Sequence, residues 1–109
     1  MTVTERLSSL KEKMNANPMF IAEMNATYQF DLSGEETSTY QIVFANGEVD
    51  VIRGEQHSPK CTMALSDKNF LKLIDNTLNP AMAYMTGKLK IKGELGLALK
   101  LQSILKNYE

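Results

Sequence analysis

Asn46-Gly47 joins two runs in which apolar and polar residues alternate, and that combination commits the middle of the chain to a β-hairpin. Both central residues of a type I′ turn take positive φ, which asparagine and glycine tolerate best. Before the pair, Tyr40, Ile42 and Phe44 alternate with Thr39, Gln41 and Val43; after it, Val49-Asp-Val-Ile-Arg53 forms the returning strand. Upstream, Ala26, Tyr28, Phe30 and Leu32 share one face of a further strand, with Asn25, Thr27, Gln29 and Asp31 on the other. Ser33-Gly34-Glu35-Glu36 supplies the turn between these two, so the hairpin extends to a three-stranded meander.

The flanks change period. Thr2 with Glu5 has capping-box spacing, and Val3, Leu7, Leu10 and Met14 recur at helical intervals beside charged residues, which predicts an amphipathic opening helix. Asn17-Pro18 predicts a second short helix over Met19 to Met24. After a polar loop over Gly54 to Pro59, Cys61, Met63 and Leu65 alternate as a fourth strand, and Ser66 caps a helix over about Asp67 to Leu78. Asn79-Pro80 restarts a helix through Met85, and Gly87 stops it. Lys88-Leu-Lys-Ile-Lys92 forms a fifth strand with Leu89 and Ile91 inward, and Leu95 to Asn107 closes the chain as a helix. This order predicts one α+β domain over residues 1–109: a five-stranded, mainly antiparallel sheet with helices packed on one face and the other face wet.

Composition narrows the function. Hydrophobic residues make up 43% and charged residues 23%, with net charge -1, so the chain carries enough apolar material for a core and lacks the basic field that nucleic-acid binding needs. No apolar run reaches the roughly 18 residues of a spanning helix, and the N-terminus lacks the order of a secretion signal; a cytoplasmic protein is expected. With Cys61 as the single cysteine, no internal disulfide forms.

Catalytic chemistry finds little support. His57 is the one histidine, in a polar loop beside Ser58, and no residue in the sequence supplies a third triad member; it reads as a solvated loop residue. His57, Cys61 and Glu55 match no zinc spacing, and Gly93-Glu-Leu-Gly96 lacks the lysine and serine of a phosphate loop, so neither a metal nor a cofactor is expected. Cys61, on an apolar strand face, reads as a small buried hydrophobe. Lys88, Lys90 and Lys92 read first as protection of an edge strand, and second as a cationic row for a phosphorylated headgroup, a coenzyme A tail or an anionic bilayer in transient contact.

Two features ask for more than a core. Seven methionines, read first as core fillers, also suit a surface that adapts to ligands of varied shape. On the closing helix, Leu97, Ala98, Leu101, Ile104, Leu105 and Tyr108 fall on one face at about 100° per residue, yet Leu95 and Leu99 lie opposite. The first half of that helix therefore needs a second contact: a neighbouring helix, which the residues alone favour, a lipid, or a partner subunit in a weak homodimer.

The segment GKLKIKGELGLALKL, Gly87 to Leu101, resembles the C-terminal signature of sterol carrier protein domains of the nonspecific lipid-transfer type. The likeness continues upstream through Pro59 to Asp67, Phe70-Leu-Lys-Leu73 and Asn79-Pro-Ala-Met-Ala-Tyr-Met85, and Asn76-Thr77 stands where relatives often show Gly-Lys. The C-terminus Asn-Tyr-Glu lacks the peroxisomal address of some relatives. The resemblance implies an apolar tunnel between helices and sheet that takes fatty acids, fatty acyl-CoA, sterols or phospholipids, and it carries over no catalytic residues. On this reading Phe20, Met24, Phe70 and Ile74, with Met82, Met85, Leu95 and Leu99, line or gate the tunnel. A protein-interaction or accessory module for a lipid- or acyl-metabolising system is the alternative.

Overall fold

The structure, a computed structural model, describes residues 2–35 and 37–108; Glu36, the last residue of the expected Ser33 to Glu36 turn, lies outside them. Five strands, β1 (Ala26–Ser33), β2 (Ser38–Ala45), β3 (Glu48–Arg53), β4 (Cys61–Ser66) and β5 (Lys90–Gly93), form one sheet in the order β3-β2-β1-β4-β5. Every neighbouring pair is antiparallel except β1 with β4. Helices α1 (Val3–Ala16), α2 (Asp67–Ile74), α3 (Pro80–Met85) and α4 (Leu95–Leu105) form the second layer, and the expected α+β architecture is the one observed.

Local chemistry explains the elements. The β2–β3 turn places Asn46 at φ 55 and Gly47 at φ 74, as a type I′ turn demands. The capping box of α1 is formed in full, with Thr2 accepting from the Glu5 amide and Glu5 accepting from the Thr2 amide. Val3, Leu7, Leu10 and Met14 are buried, and the far end of α1 is tied to the sheet by Asn15, whose amide side chain donates to the Val49 carbonyl and accepts from the Val49 N–H, both at 2.9 Å. That pairing occupies backbone groups on edge strand β3, which would otherwise face solvent.

Four sequence expectations shift. Pro18–Phe20 makes a single 3-10 turn, and the chain leaves helical geometry before Met24, so no helix runs over Met19 to Met24. Helix α2 stops at Ile74 instead of Leu78, because Asn76 takes φ 62 and lets the Asn76 and Thr77 amides bond back to the Leu73 and Lys72 carbonyls. Asparagine tolerates that left-handed conformation, the work glycine most often does. The same closure at Gly87 turns the Lys88 amide back onto the Ala83 carbonyl, so Lys88 and Leu89 finish α3 and β5 begins only at Lys90. Helix α4 ends at Leu105, followed by a 3-10 turn over Lys106–Tyr108.

The far sheet face is also less wet than expected. Gln29 and Gln41, directly paired across β1 and β2, are buried beneath the Gly54 to Pro59 loop. Gln41 accepts from the Gln56 and His57 amides and donates to the His57 carbonyl and to Gln29, while Gln29 donates to Asp31 and Glu55. Burying amides without partners would be costly; here each finds one, and the loop is held against the sheet.

Candidate functional site

Gly93 sets where α4 begins. It has φ 91, and a Cβ there would run into the Lys60 carbonyl, so only glycine permits the close approach at the end of β5. The Glu94 amide then donates to that same carbonyl at 2.9 Å and launches α4 across the sheet. Ala98, Leu101, Ile104 and Leu105 point down into the core, as the helical wheel requires. Tyr28, fully buried in β1, donates its hydroxyl to the Leu97 carbonyl at 2.7 Å, and Asn76 donates to the Leu105 carbonyl at 3.1 Å. Helix α4 is therefore fastened near both ends.

Helix α3 is held differently. Only Pro80 and Ala83 of its six residues are buried, while Met82 and Met85 are 62% and 82% exposed. Across from it on α4, Leu95 and Leu99 remain 48% and 47% exposed. Between them lies an apolar groove of about 130 Å³, walled by Pro80, Ala81, Tyr84 and Met85 of α3, Ile91 of β5, and Leu95, Ala98 and Leu99 of α4. Its walls offer nothing to bind a charge, and three elements converge to make it.

Of the eight residues expected at the tunnel, Met85, Leu95 and Leu99 meet at this groove. Met82 stands exposed on the same short helix, outside the groove wall. Phe70 is buried in the core against Phe30, ring centroids 4.8 Å apart, and Met24 is buried too. Phe20 packs edge-on against Tyr108 at 5.8 Å. Ile74 borders a different depression of about 580 Å³, where the Arg6–Asp75 ion pair, Lys13 and Asn76 make part of the walls polar. Leu10, Leu71 and Tyr108 complete that larger space, so its walls are mixed, whereas those of the α3–α4 groove are almost entirely carbon. Tyr84 and Ile91 went unanticipated as walls, although the inward assignment of Ile91 already placed it on the right sheet face.

Over α1 and α2 the interlayer space is filled by side chains such as Leu7, Met14, Phe30 and Phe70. At the α3–α4 edge the groove is an opening lined by apolar side chains. Cys61 is buried and its thiol is pushed above its ordinary value by burial, so it is no ready nucleophile.

An α+β domain whose helical layer leaves an apolar mouth at one edge of the sheet belongs to the class that binds apolar small molecules. The chain is a member of the SCP-2 sterol transfer family, whose model matches residues 6–106, and the family as a whole binds and transfers lipids. Over 79 residues the chain is 44% identical to hydroxysteroid dehydrogenase-like protein 2 of Xenopus tropicalis, covering 72% of this chain and 19% of that protein. Over 88 residues it is 33% identical to sterol carrier protein 2 of Homo sapiens, covering 78% of this chain and 16% of that protein. It thus spans about a fifth or less of these relatives' length. The solution structure of the sterol carrier protein domain 2 of Helicoverpa armigera matches with a TM-score of 0.80 at 28% identity, over 97% of this chain and 87% of that one.

Proposed function

We propose that this chain takes up the hydrocarbon part of a fatty acid, fatty acyl-CoA, sterol or phospholipid between α3 and α4 and passes it on without chemical change. The observation that carries the reading is the groove itself: Met85, Leu95 and Leu99 converge on an opening with carbon walls. At about 130 Å³ it equals roughly four water volumes, too few for a long alkyl chain. Fuller enclosure of such a chain would come from α3 moving away from α4. The asymmetry in their attachment favours that motion, since α4 is fastened near both ends and α3 is bounded by left-handed residues, Asn76 and Gly87.

The energetics suit a carrier. A 16-carbon chain leaving water gains roughly 12 kcal/mol, at about 0.8 kcal/mol per CH₂. Leaving a bilayer gains almost nothing, so the protein need only offer a comparable apolar refuge. Adaptable methionine side chains at the mouth reduce the cost of holding it empty.

Titration with a fluorescent fatty acid at micromolar concentration should show saturable binding, and native mass spectrometry of protein from cells should show co-purified lipid. Met85→Glu should weaken binding by at least about tenfold, because a carboxylate at the mouth must be desolvated when the tail enters. Delipidated protein that ignores the fatty acid would sink the proposal. The relatives favour a second reading, an accessory module: a chain matching about a fifth of a dehydrogenase-like protein suits a lipid-holding unit that works beside a separate enzyme. In that case lipid held by the chain should be converted faster by the partner enzyme than free lipid.

A further inference from the structure

We propose that Met85 is a site of reversible oxidation by hydrogen peroxide, and that its sulfoxide switches the groove from holding a lipid tail to releasing it. This inference rests on the lipid-carrier reading of the same groove and adds its regulation. The described sulfur-bearing side chains fall into two sets. Met14, Met24, Met63 and Cys61 are buried, at no more than 4% exposure, so peroxide in the surrounding water does not reach them. Met19, Met82 and Met85 are 72%, 62% and 82% exposed. Of these three, Met85 alone belongs to the groove wall, and the other wall residues carry no sulfur.

A thioether carries a lone pair and no proton, so it reacts without a neighbouring base. The Met85 sulfur attacks one peroxide oxygen, the O–O bond breaks, an S–O bond forms, and the departing hydroxide takes the remaining proton to leave as water. Sulfur gives up two electrons and peroxide accepts them. A thiol-dependent reductase returns the sulfide, with two thiols becoming a disulfide and the oxygen leaving as water. The effect on binding follows from what surrounds the new oxygen. In the empty groove it stays hydrated, because Met85 lies mostly in water. Once a tail fills the groove, the oxygen faces that tail and the hydrocarbon side chains of Ile91, Leu95 and Leu99, none of which donates a hydrogen bond. The sulfoxide therefore penalises the loaded state and spares the empty one. The fold is spared as well, because α3 is held through Pro80 and Ala83 and not through Met85.

Peroxide treatment of the full chain, followed by removal of the peroxide, tests the proposal. Peptide mass spectrometry should find added oxygen on Met19, Met82 and Met85 and none on Met14, Met24 or Met63. Binding of the fluorescent fatty acid should weaken at least about fivefold, with the urea midpoint of the lipid-free protein unchanged, and should recover after treatment with the two epimer-specific sulfoxide reductases. Each variant is then compared with itself before and after peroxide. The Met19→Leu, Met82→Leu double variant, which keeps Met85, should lose as much binding as the parent does. Met85→Leu, with Met19 and Met82 still oxidisable, should lose less than about twofold. An equal loss in Met85→Leu, or full binding by protein oxidised at Met85, would overturn the proposal and leave the carrier reading standing. So would a Met85 that resists peroxide, or a loss of binding that comes with a fall in the urea midpoint. Untreated parent that ignores the fatty acid would instead sink the carrier reading, and the switch with it.

Discussion

The two ends of the helical layer carry similar residues to different ends. Over β3, α1 is apolar on one stripe only; Val3, Leu7, Leu10 and Met14 are all buried, and Asn15 completes the seam. Beside β5, α3 buries Pro80 and Ala83 and leaves its methionines in water, while α4 is apolar on two sides and buries one. A helix whose apolar stripe matches its contact closes a core. A helix with surplus apolar surface leaves a demand that another molecule can meet. The difference locates the site at the edge where hydrophobicity exceeds what the fold uses.

The sharpest way to break this contrast is to delete one large side chain from the closed end. Phe70→Ala removes a ring buried against Phe30 and should cost about 3 to 5 kcal/mol in urea unfolding. Met85→Glu, at the open end, should change stability by less than about 0.5 kcal/mol while impairing lipid binding. Equal costs would mean that α3 is core, and the contrast would disappear.

A smaller effect probes what keeps α4 still while α3 yields. Tyr28→Phe keeps the ring and loses the bond to the Leu97 carbonyl, which should cost about 1 kcal/mol and speed amide exchange in the first turn of α4. Burial raises the Tyr28 phenol above its ordinary value of 10.0, with Cys61 and Glu94 adding to the shift. An unfolded tyrosine ionises near that ordinary value and the buried one resists. The contribution is thus fully present below about pH 10 and is lost as pH rises toward the buried group's own value. Tyr28→Phe should therefore flatten the alkaline fall in stability; an unchanged alkaline limb would show that another group governs it.

How far the site could be read from sequence follows from the range over which each signal acts. Hairpin, caps and the two-sided α4 wheel are local, and they brought Leu95, Leu99 and, through the Asn79-Pro80 restart, Met85 to notice. Phe70, Ile74 and Met24 carry the same helical or flanking pattern as a ligand wall, and only packing shows that they face the core or a depression of mixed walls. Tyr84 meets Leu95 and Leu99 because β4 adds in parallel beside β1 and carries β5 and α4 with it, a long-range pairing that no local period encodes. Gln29 and Gln41 look like outward polar residues until their cross-strand pairing places them under one loop.

The gentlest test lies on the outside of the closed end, where Lys11 of α1 donates to Asp50 of β3 at 2.8 Å. The hydrogen bond from Lys11 lowers the Asp50 carboxyl below its ordinary 3.8, with charge attraction and the Val51 amide acting in the same direction. A depressed carboxylate contributes stability above its unfolded value and loses it as pH falls through the folded one. Both partners are largely exposed, so solvent screening holds the contribution to about 0.3 kcal/mol. Asp50→Asn should accordingly lower the urea midpoint slightly at pH 7, and the gap from the parent should close below about pH 4, where the parent's own carboxyl takes a proton. Fatty acid binding should be indifferent throughout, because this pair seals a seam at the far side of the sheet from the groove. If binding followed the Asp50 titration instead, the two ends would be mechanically coupled, and α1 would have to be counted as part of the gate.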